Sequence, residues 1–460
     1  MTGAPDPWGE RLPRRLGLGS AIGLLIANTI GSGIFRVPAT VADQLEHPGP
    51  ILLAWIIGGI FALCGALSVA ELAAAVPRSG GLFRILLAAY GPLPAFMLGV
   101  AEVLVIAPAG LAAVASIFAA YLGHFVELGE NGVRYVACAG LISVGLINYL
   151  GIRRASVVTN FSTLTKYGGL LLLGALAFTV GDGSAAHFSD PWAGGVRVSL
   201  IATALVPIMF SYEGWADLSR VAGEIRDPAR NLPRAMIVGV ALVMVIYVGI
   251  NAVYLYLLPI ERMAASPLVA ASAAERIPVI GASAASAIAA MVMISCYGNM
   301  AGGMMSFPRT QFAMAEHGLS LGPLARVSPR FQTPSVAIWT ITLLSAASTL
   351  SSTFQQLAGR FVLGLWPFYS LAVAAVFVLR RTRPDLPRPY RVWGYPVVPA
   401  LCLLAALGML GNAAWTDPVN TGVTFAMLAA GVPIYFLWGR KRVRREVAVS
   451  PQQQRVGPSE

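Results

Sequence analysis

Long apolar runs separated by short, arginine-bearing polar loops fill this sequence. A helix needs roughly 20 apolar residues, at about 1.5 Å rise each, to cross a bilayer. Runs of that character lie near 16–41, 50–76, 86–122, 133–150, 156–181, 198–219, 234–258, 280–313, 335–351, 359–380, 395–415 and 421–438. The pattern predicts an all-α polytopic membrane protein with about twelve transmembrane helices. The run at 86–122 is longer than one crossing and holds Pro92, Pro94 and Pro108, so a turn followed by a long tilted helix is expected. The run at 335–351 is the shortest.

Composition agrees with this class. Of 460 residues, 57% are hydrophobic and only 12% charged, with a mean hydropathy of +0.71, too little charge to cover a soluble domain. The polar start MTGAPDPWGERLPRRLGLGS and the length of the first apolar run do not fit a signal peptide. The net charge of +11 would point to nucleic acid in a soluble protein. Here, placing the N-terminus inside puts basic residues in the inner loops and tail over those in outer loops by about four to one. The lipid bilayer is thus the expected partner, with no nucleic acid, and both termini are expected to be cytoplasmic in the plasma (inner) membrane. Cys64, Cys138, Cys296 and Cys402 all lie in apolar runs, and His47, His124, His187 and His317 are scattered. No metal, cofactor or histidine-based catalytic centre is expected.

Near the middle of the first run stands ANTIGSGIF, residues 27–35. Glycine weakens a helix interior, and unpaired backbone survives at membrane depth only where it lines a cavity or is buried in protein. Gly31-Ser32-Gly33 therefore reads either as a helix interruption or as a close small-residue helix contact. The sixth run, LIATALVPIMFSYEGWADLSRVAGEI, breaks the tie. Pro207 removes a donor, and Ser211, Tyr212, Glu213 and Gly214 form a polar patch in mid-run. Runs one and six each open a group of five, and an odd number sends the second group in from the opposite side. The expected organisation is a cytoplasmic segment 1–15, a five-helix repeat 16–181, an inverted repeat 197–380, two added helices 395–438 and a disordered cytoplasmic tail 439–460. Interrupted helices offer free N–H groups to a carboxylate and free C=O groups to an ammonium. An α-amino acid carries both.

These segments resemble the amino acid–polyamine–organocation superfamily, and within it the L-type amino acid transporter family. The likeness rests on IGSGIF (30–35), ELAAAVPRSGG (71–81), AYGP (89–92), FSYEGWADL (210–218), GEIRDPARNLPRA (223–235) and LRRTRPDLPRPYRVWGYPVVP (379–399). It implies a LeuT-like fold of five plus five helices. It implies further that the substrate carboxylate meets the amides of Ser32 and Gly33, beside Gly31. The ammonium would meet the carbonyls of Ile30 and Phe210, with Phe210 a gating aromatic and Ser211, Glu213 and Gly214 completing the site.

Lys166, in NFSTLTKYGGLLLL, is one of two lysines in the chain. Its context resembles a family lysine that lies near the first break, where sodium-coupled relatives hold an ion, which implies sodium-independent transport. The competing reading is snorkelling toward the basic pair Arg153-Arg154. Glu213 reads as a counter-charge for a cationic substrate, a partner of Lys166, a proton carrier, or a cap on the second half of helix six. Glu102 departs from the family pattern; a pair with an arginine at an interface and a functional role are equally open. Glu71 and Arg78 read as structural. Trp366 is a coupling or gating candidate, Tyr297 and Asn299 are pathway candidates, and Trp215 fits a packing anchor. The loop GHFVELGENGVRY (123–135) lacks the cysteine by which eukaryotic members join a glycoprotein, so no disulfide-linked heavy chain is expected.

The expected function is a sodium-independent exchanger or proton-linked permease for amino acids. The alternative is a polyamine or cationic amino acid carrier using Glu213. A membrane enzyme lacks a convergent catalytic set, a channel lacks a repeated pore segment, and an ATP-driven pump lacks a phosphate-binding loop.

Overall fold

The computed structural model describes residues 14–75, 81–193, 195–278, 281–316, 318 and 320–439. Most of the two expected terminal segments, together with Arg78 and His317, lie outside the described residues, as do the side chains of Arg153 and Arg154. The regular elements among the described residues are helical, apart from one isolated bridge joining Leu16 to Ile225.

In chain order they are α1 (Leu18–Thr29), α2 (Val37–Leu45), α3 (Pro48–Ala75), α4 (Gly81–Tyr90), α5 (Pro92–Ala101) and α6 (Ala107–Leu122). There follow α7 (Glu130–Tyr149), α8 (Ile152–Thr179), α9 (Val198–Tyr212), α10 (Pro228–Leu257), α11 (Ile260–Ala265) and α12 (Val269–Ala274). The last are α13 (Gly281–Glu316), α14 (Ser335–Ser351), α15 (Phe354–Thr382), α16 (Val397–Thr416), α17 (Pro418–Ala429) and α18 (Gly431–Ile434). A π-helical turn, Glu102–Ile106, makes α5 and α6 one rod spanning Pro92–Leu122. The turn expected early in the run 86–122 falls at Gly91, where α4 ends. Nine helices among the described residues are long and apolar enough to cross a membrane. This is a multi-pass architecture; the break leaves α1 only 12 residues, and α14 has 17.

The helices pack in two groups. In one, α10 lies against α1 and α3, and α9 against α2 and α3. In the other, α13 lies against α6, α7 and α8, and α14 against α6 and α7. Between them α15 touches α6, α9 and α3. Outside, α16 exposes Val397, Leu401, Leu404 and Leu407, a helical stripe of apolar side chains suited to lipid.

The segment after α15 is held to α3 by one carboxylate. Glu71, fully buried, accepts hydrogen bonds from Arg380 Nε at 2.9 Å, Arg380 Nη2 at 2.6 Å and the Val392 amide at 2.8 Å. Arg388 adds a cation at 3.6 Å. Its structural role follows from this anchoring. Removing one member of a buried ion pair costs about 3–5 kcal/mol, because the other charges keep their desolvation cost. Glu71→Ala is therefore expected to lower the thermal denaturation midpoint in detergent and the yield of monodisperse protein, as read by size-exclusion chromatography. A wild-type melting profile would contradict that role.

Candidate functional site

The first break falls where the glycines place it. α1 ends at Thr29, Ile30 leaves helical geometry at φ −73°, ψ 88°, and the chain re-enters a 3₁₀ turn at Gly33–Phe35 before α2. A Cβ at Gly33 would lie 2.5 Å from Ser211 Oγ and 2.9 Å from Ser211 Cα, so only glycine lets this junction rest on α9. The second break is shorter than the sequence predicts. α9 runs through Pro207 and includes Phe210 and Ser211, ending at Tyr212. Pro207 deletes one hydrogen bond without opening the helix, because the neighbouring turns remain bonded. Glu213 is extended, Gly214 sits at φ +117°, and a 3₁₀ segment, Trp215–Glu224, continues the chain. The breaks touch: a Cβ on Gly214 would lie 2.7 Å from the carbonyl carbon and oxygen of Asn28.

Opening two helices frees carbonyls, and side chains take most of them. Tyr247 on α10 lies 2.9 Å from the Thr29 carbonyl oxygen and 2.7 Å from that of Ser211. Tyr254 donates to Ile34 at 3.4 Å and Tyr121 to Phe35 at 2.9 Å. Lys166 donates its ammonium to the Ile30 carbonyl and, at 3.4 Å, to that of Ala27. Lys166 is 1% exposed, which overturns snorkelling and places the ammonium behind the break. The Ile30 carbonyl, expected to meet a substrate ammonium, is thus already engaged by Lys166. Among the described residues, the amides of Gly31, Ser32 and Gly33 have no acceptor, and the Phe210 carbonyl has no donor.

A cavity of about 760 Å³ adjoins these groups, lined by Gly31, Ser32, Gly33, Phe210, Glu213 and Gly214 as well as Asn28, Asn299 and Phe361. It runs past Ser306, Arg220 and Thr310, and both Asn28 and Ser306 are exposed within it. At its other end Phe210 stacks edge-on against Phe354 and Phe361, with ring centroids 5.9 and 5.5 Å away. Ile30, Ser211 and Lys166 stand behind the lining rather than in it. Trp366 does not line it either: its ring packs on Phe61 at 4.3 Å and on Tyr369 at 5.5 Å. Tyr297 packs on Phe118 and bonds Ser143, away from the cavity. Trp215 is fully packed between Gly65 and Tyr369.

A second chamber of about 430 Å³ shares Glu213, Asp217, Arg220, Phe307, Thr310 and Phe361 with the first. Glu213 accepts a hydrogen bond from the Tyr369 hydroxyl. Glu102 meets an arginine, but in the protein interior and not at an interface: Arg220 lies 3.3 Å from Oε1, and Gln311 donates to Oε2 at 2.6 Å. Tyr247, Tyr369, Arg220 and Gln311 went unread in the sequence. Tyr247, Asn251 and Tyr254, spaced as one polar face of an apolar helix, were the available signal.

Fold and site together define a multi-pass membrane protein whose broken helices border a ligand-sized cavity. Over residues 16–438 the chain matches the family described as amino acid permease. It belongs to that family, within the amino acid–polyamine–organocation superfamily. The serine/threonine exchanger SteT of Bacillus subtilis (strain 168) is 29% identical across 92% of this chain and 97% of its own. The human cystine/glutamate transporter is 29% identical across 95% of this chain and 89% of its own. The mouse large neutral amino acids transporter small subunit 2 is 31% identical across 93% of this chain and 82% of its own. The family and these relatives are transporters, not enzymes.

Proposed function

We propose that this protein is a sodium-independent secondary carrier, an exchanger or proton-linked permease, that moves amino acids across the plasma membrane by alternating access. The observation that carries this reading is the set of acceptor-free amides at Gly31, Ser32 and Gly33, bordering the cavity beside the donor-free Phe210 carbonyl. Backbone groups of that sign suit a carboxylate and an ammonium on one carbon. Lys166 supplies a fixed cation at the Ile30 and Ala27 carbonyls, the kind of place a sodium ion would otherwise fill.

Adding the interrupted α1–α2 pair, α8 and α14 to the nine longer helices supports twelve spans, the ten of a LeuT-like inverted repeat and two added helices. The inner-loop arginines put both termini in the cytoplasm, so the Arg220 end of the cavity faces inward. The polyamine reading is weaker. Its counter-charges are engaged, Glu213 by Tyr369 and Glu102 by Arg220 and Gln311. The relatives that SteT and the cystine/glutamate transporter represent carry names of amino acid transport.

Uptake into proteoliposomes tests the reading. Serine, cystine, leucine and arginine are offered outside, with and without internal amino acid, a sodium gradient or a pH gradient. We expect uptake that internal amino acid or a pH gradient accelerates and a sodium gradient leaves unchanged. Sodium-driven accumulation would overturn the role given to Lys166. Stronger competition by putrescine than by any amino acid would overturn the substrate class.

A further inference from the structure

We propose that Glu102 is a positioning residue of the transport cycle. Its carboxylate latches the segment behind the second break to the opposite helix group and so holds the protein in the conformation whose cavity opens at the Arg220 end. This rests on the alternating-access reading above.

Glu102 is 4% exposed at membrane depth, where a carboxylate is retained only with partners. It opens the π-helical turn Glu102–Ile106, a one-residue expansion that re-aims side chains and recurs at functional sites. Its two oxygens reach different elements. Arg220, on the segment Trp215–Glu224, lies 3.3 Å from Oε1, and Gln311, on α13, donates to Oε2 at 2.6 Å. Ser320 in turn donates to Gln311 Oε1 at 2.7 Å, which fixes the amide's orientation.

The segment Trp215–Glu224 otherwise packs mainly on α1, α3, α4 and α10. α13 packs on α6, α7 and α8. The Glu102–Arg220 pair therefore crosses between the two helix groups, as does the bond from Arg220 to Thr310 at 3.4 Å. Arg220 also pairs with Asp217 at 2.9 Å, but that partner lies on its own segment and crosses nothing. Arg220 and Thr310 line both chambers, so the latch lies along the route a substrate takes out of the cavity. Any motion that shuts this end must reposition Arg220 relative to Glu102.

Glu102→Gln keeps the side chain's shape and an acceptor for Gln311 while removing the charge that holds Arg220. In proteoliposomes of known orientation, the half-saturation concentration is expected to rise about threefold or more at the face the cavity opens to and to fall at the opposite face, because apparent affinity scales with the population of the binding-competent state. Hydrogen–deuterium exchange should speed up over residues 215–224 and stay unchanged in α16. Arg220→Lys, which keeps the charge and loses the fork, should shift both readings in the same direction.

Equal changes at both faces or a lower maximal rate alone would overturn the latch. Opposite shifts with the two faces exchanged would also overturn it, because the variant would then favour the conformation that the latch is said to hold. A wild-type protein that transports no amino acid would overturn the carrier reading itself.

Discussion

Gly214→Ala is expected to abolish measurable uptake while the protein still inserts in the membrane. Two independent costs act at that position. Its φ of +117° lies where side-chain-bearing residues are rarely found, and forcing one there costs about 1–3 kcal/mol. The added Cβ would also meet the Asn28 carbonyl at 2.7 Å and the Thr29 amide nitrogen at 2.9 Å. Those are backbone atoms, which cannot swing aside, and overpacking of this kind costs about 1–3 kcal/mol more. Relief requires the two breaks to separate, and their contact forms one edge of the cavity. Even the lower sum, about 2 kcal/mol, corresponds to a loss of roughly thirtyfold. Exchange of radiolabelled substrate in proteoliposomes, normalised to protein incorporated, measures it. Near-wild-type exchange would show that the contact between the breaks is dispensable.

Lys166→Met should be almost as severe. Methionine matches the length of lysine and leaves the space filled, so the change isolates the ammonium. The carbonyls of Ile30 and Ala27 then lose a charged donor, in a place where water is scarce. Hydrogen bonds to charged groups contribute about 1.5–3 kcal/mol each, so exchange should fall by about ten- to more than a hundredfold. Two further readings sharpen the test. Rescue of the variant by sodium would mean the freed carbonyls accept an ion in place of the ammonium. Unimpaired exchange without sodium would remove Lys166 from the cycle.

The parts of this molecule that a reader of the sequence can find are those with a local signature. Gly31-Ser32-Gly33 inside an apolar run marked the first break because glycine is improbable there without a reason. Lys166 stood out through scarcity. Pro207 misled, because a proline's effect depends on whether the surrounding turns stay bonded, and that is settled by packing. The site's polar partners were harder. Lys166 and Ile30 are 136 positions apart, Glu102 and Arg220 118, Glu213 and Tyr369 156. No periodicity encodes such pairings; they follow from how whole helices are laid against one another. For the same reason nothing in the sequence shows that a neighbouring helix supplies a donor to the Ile30 carbonyl. Trp366 looked like a gate from its type and position, yet its ring serves as a wall for Tyr369.

The phenol of Tyr247 carries a single hydrogen and faces two oxygens, those of Thr29 and Ser211. At any instant it can donate fully to only one of them. The hydroxyl thus ties the ends of both interrupted helices to a single point on α10.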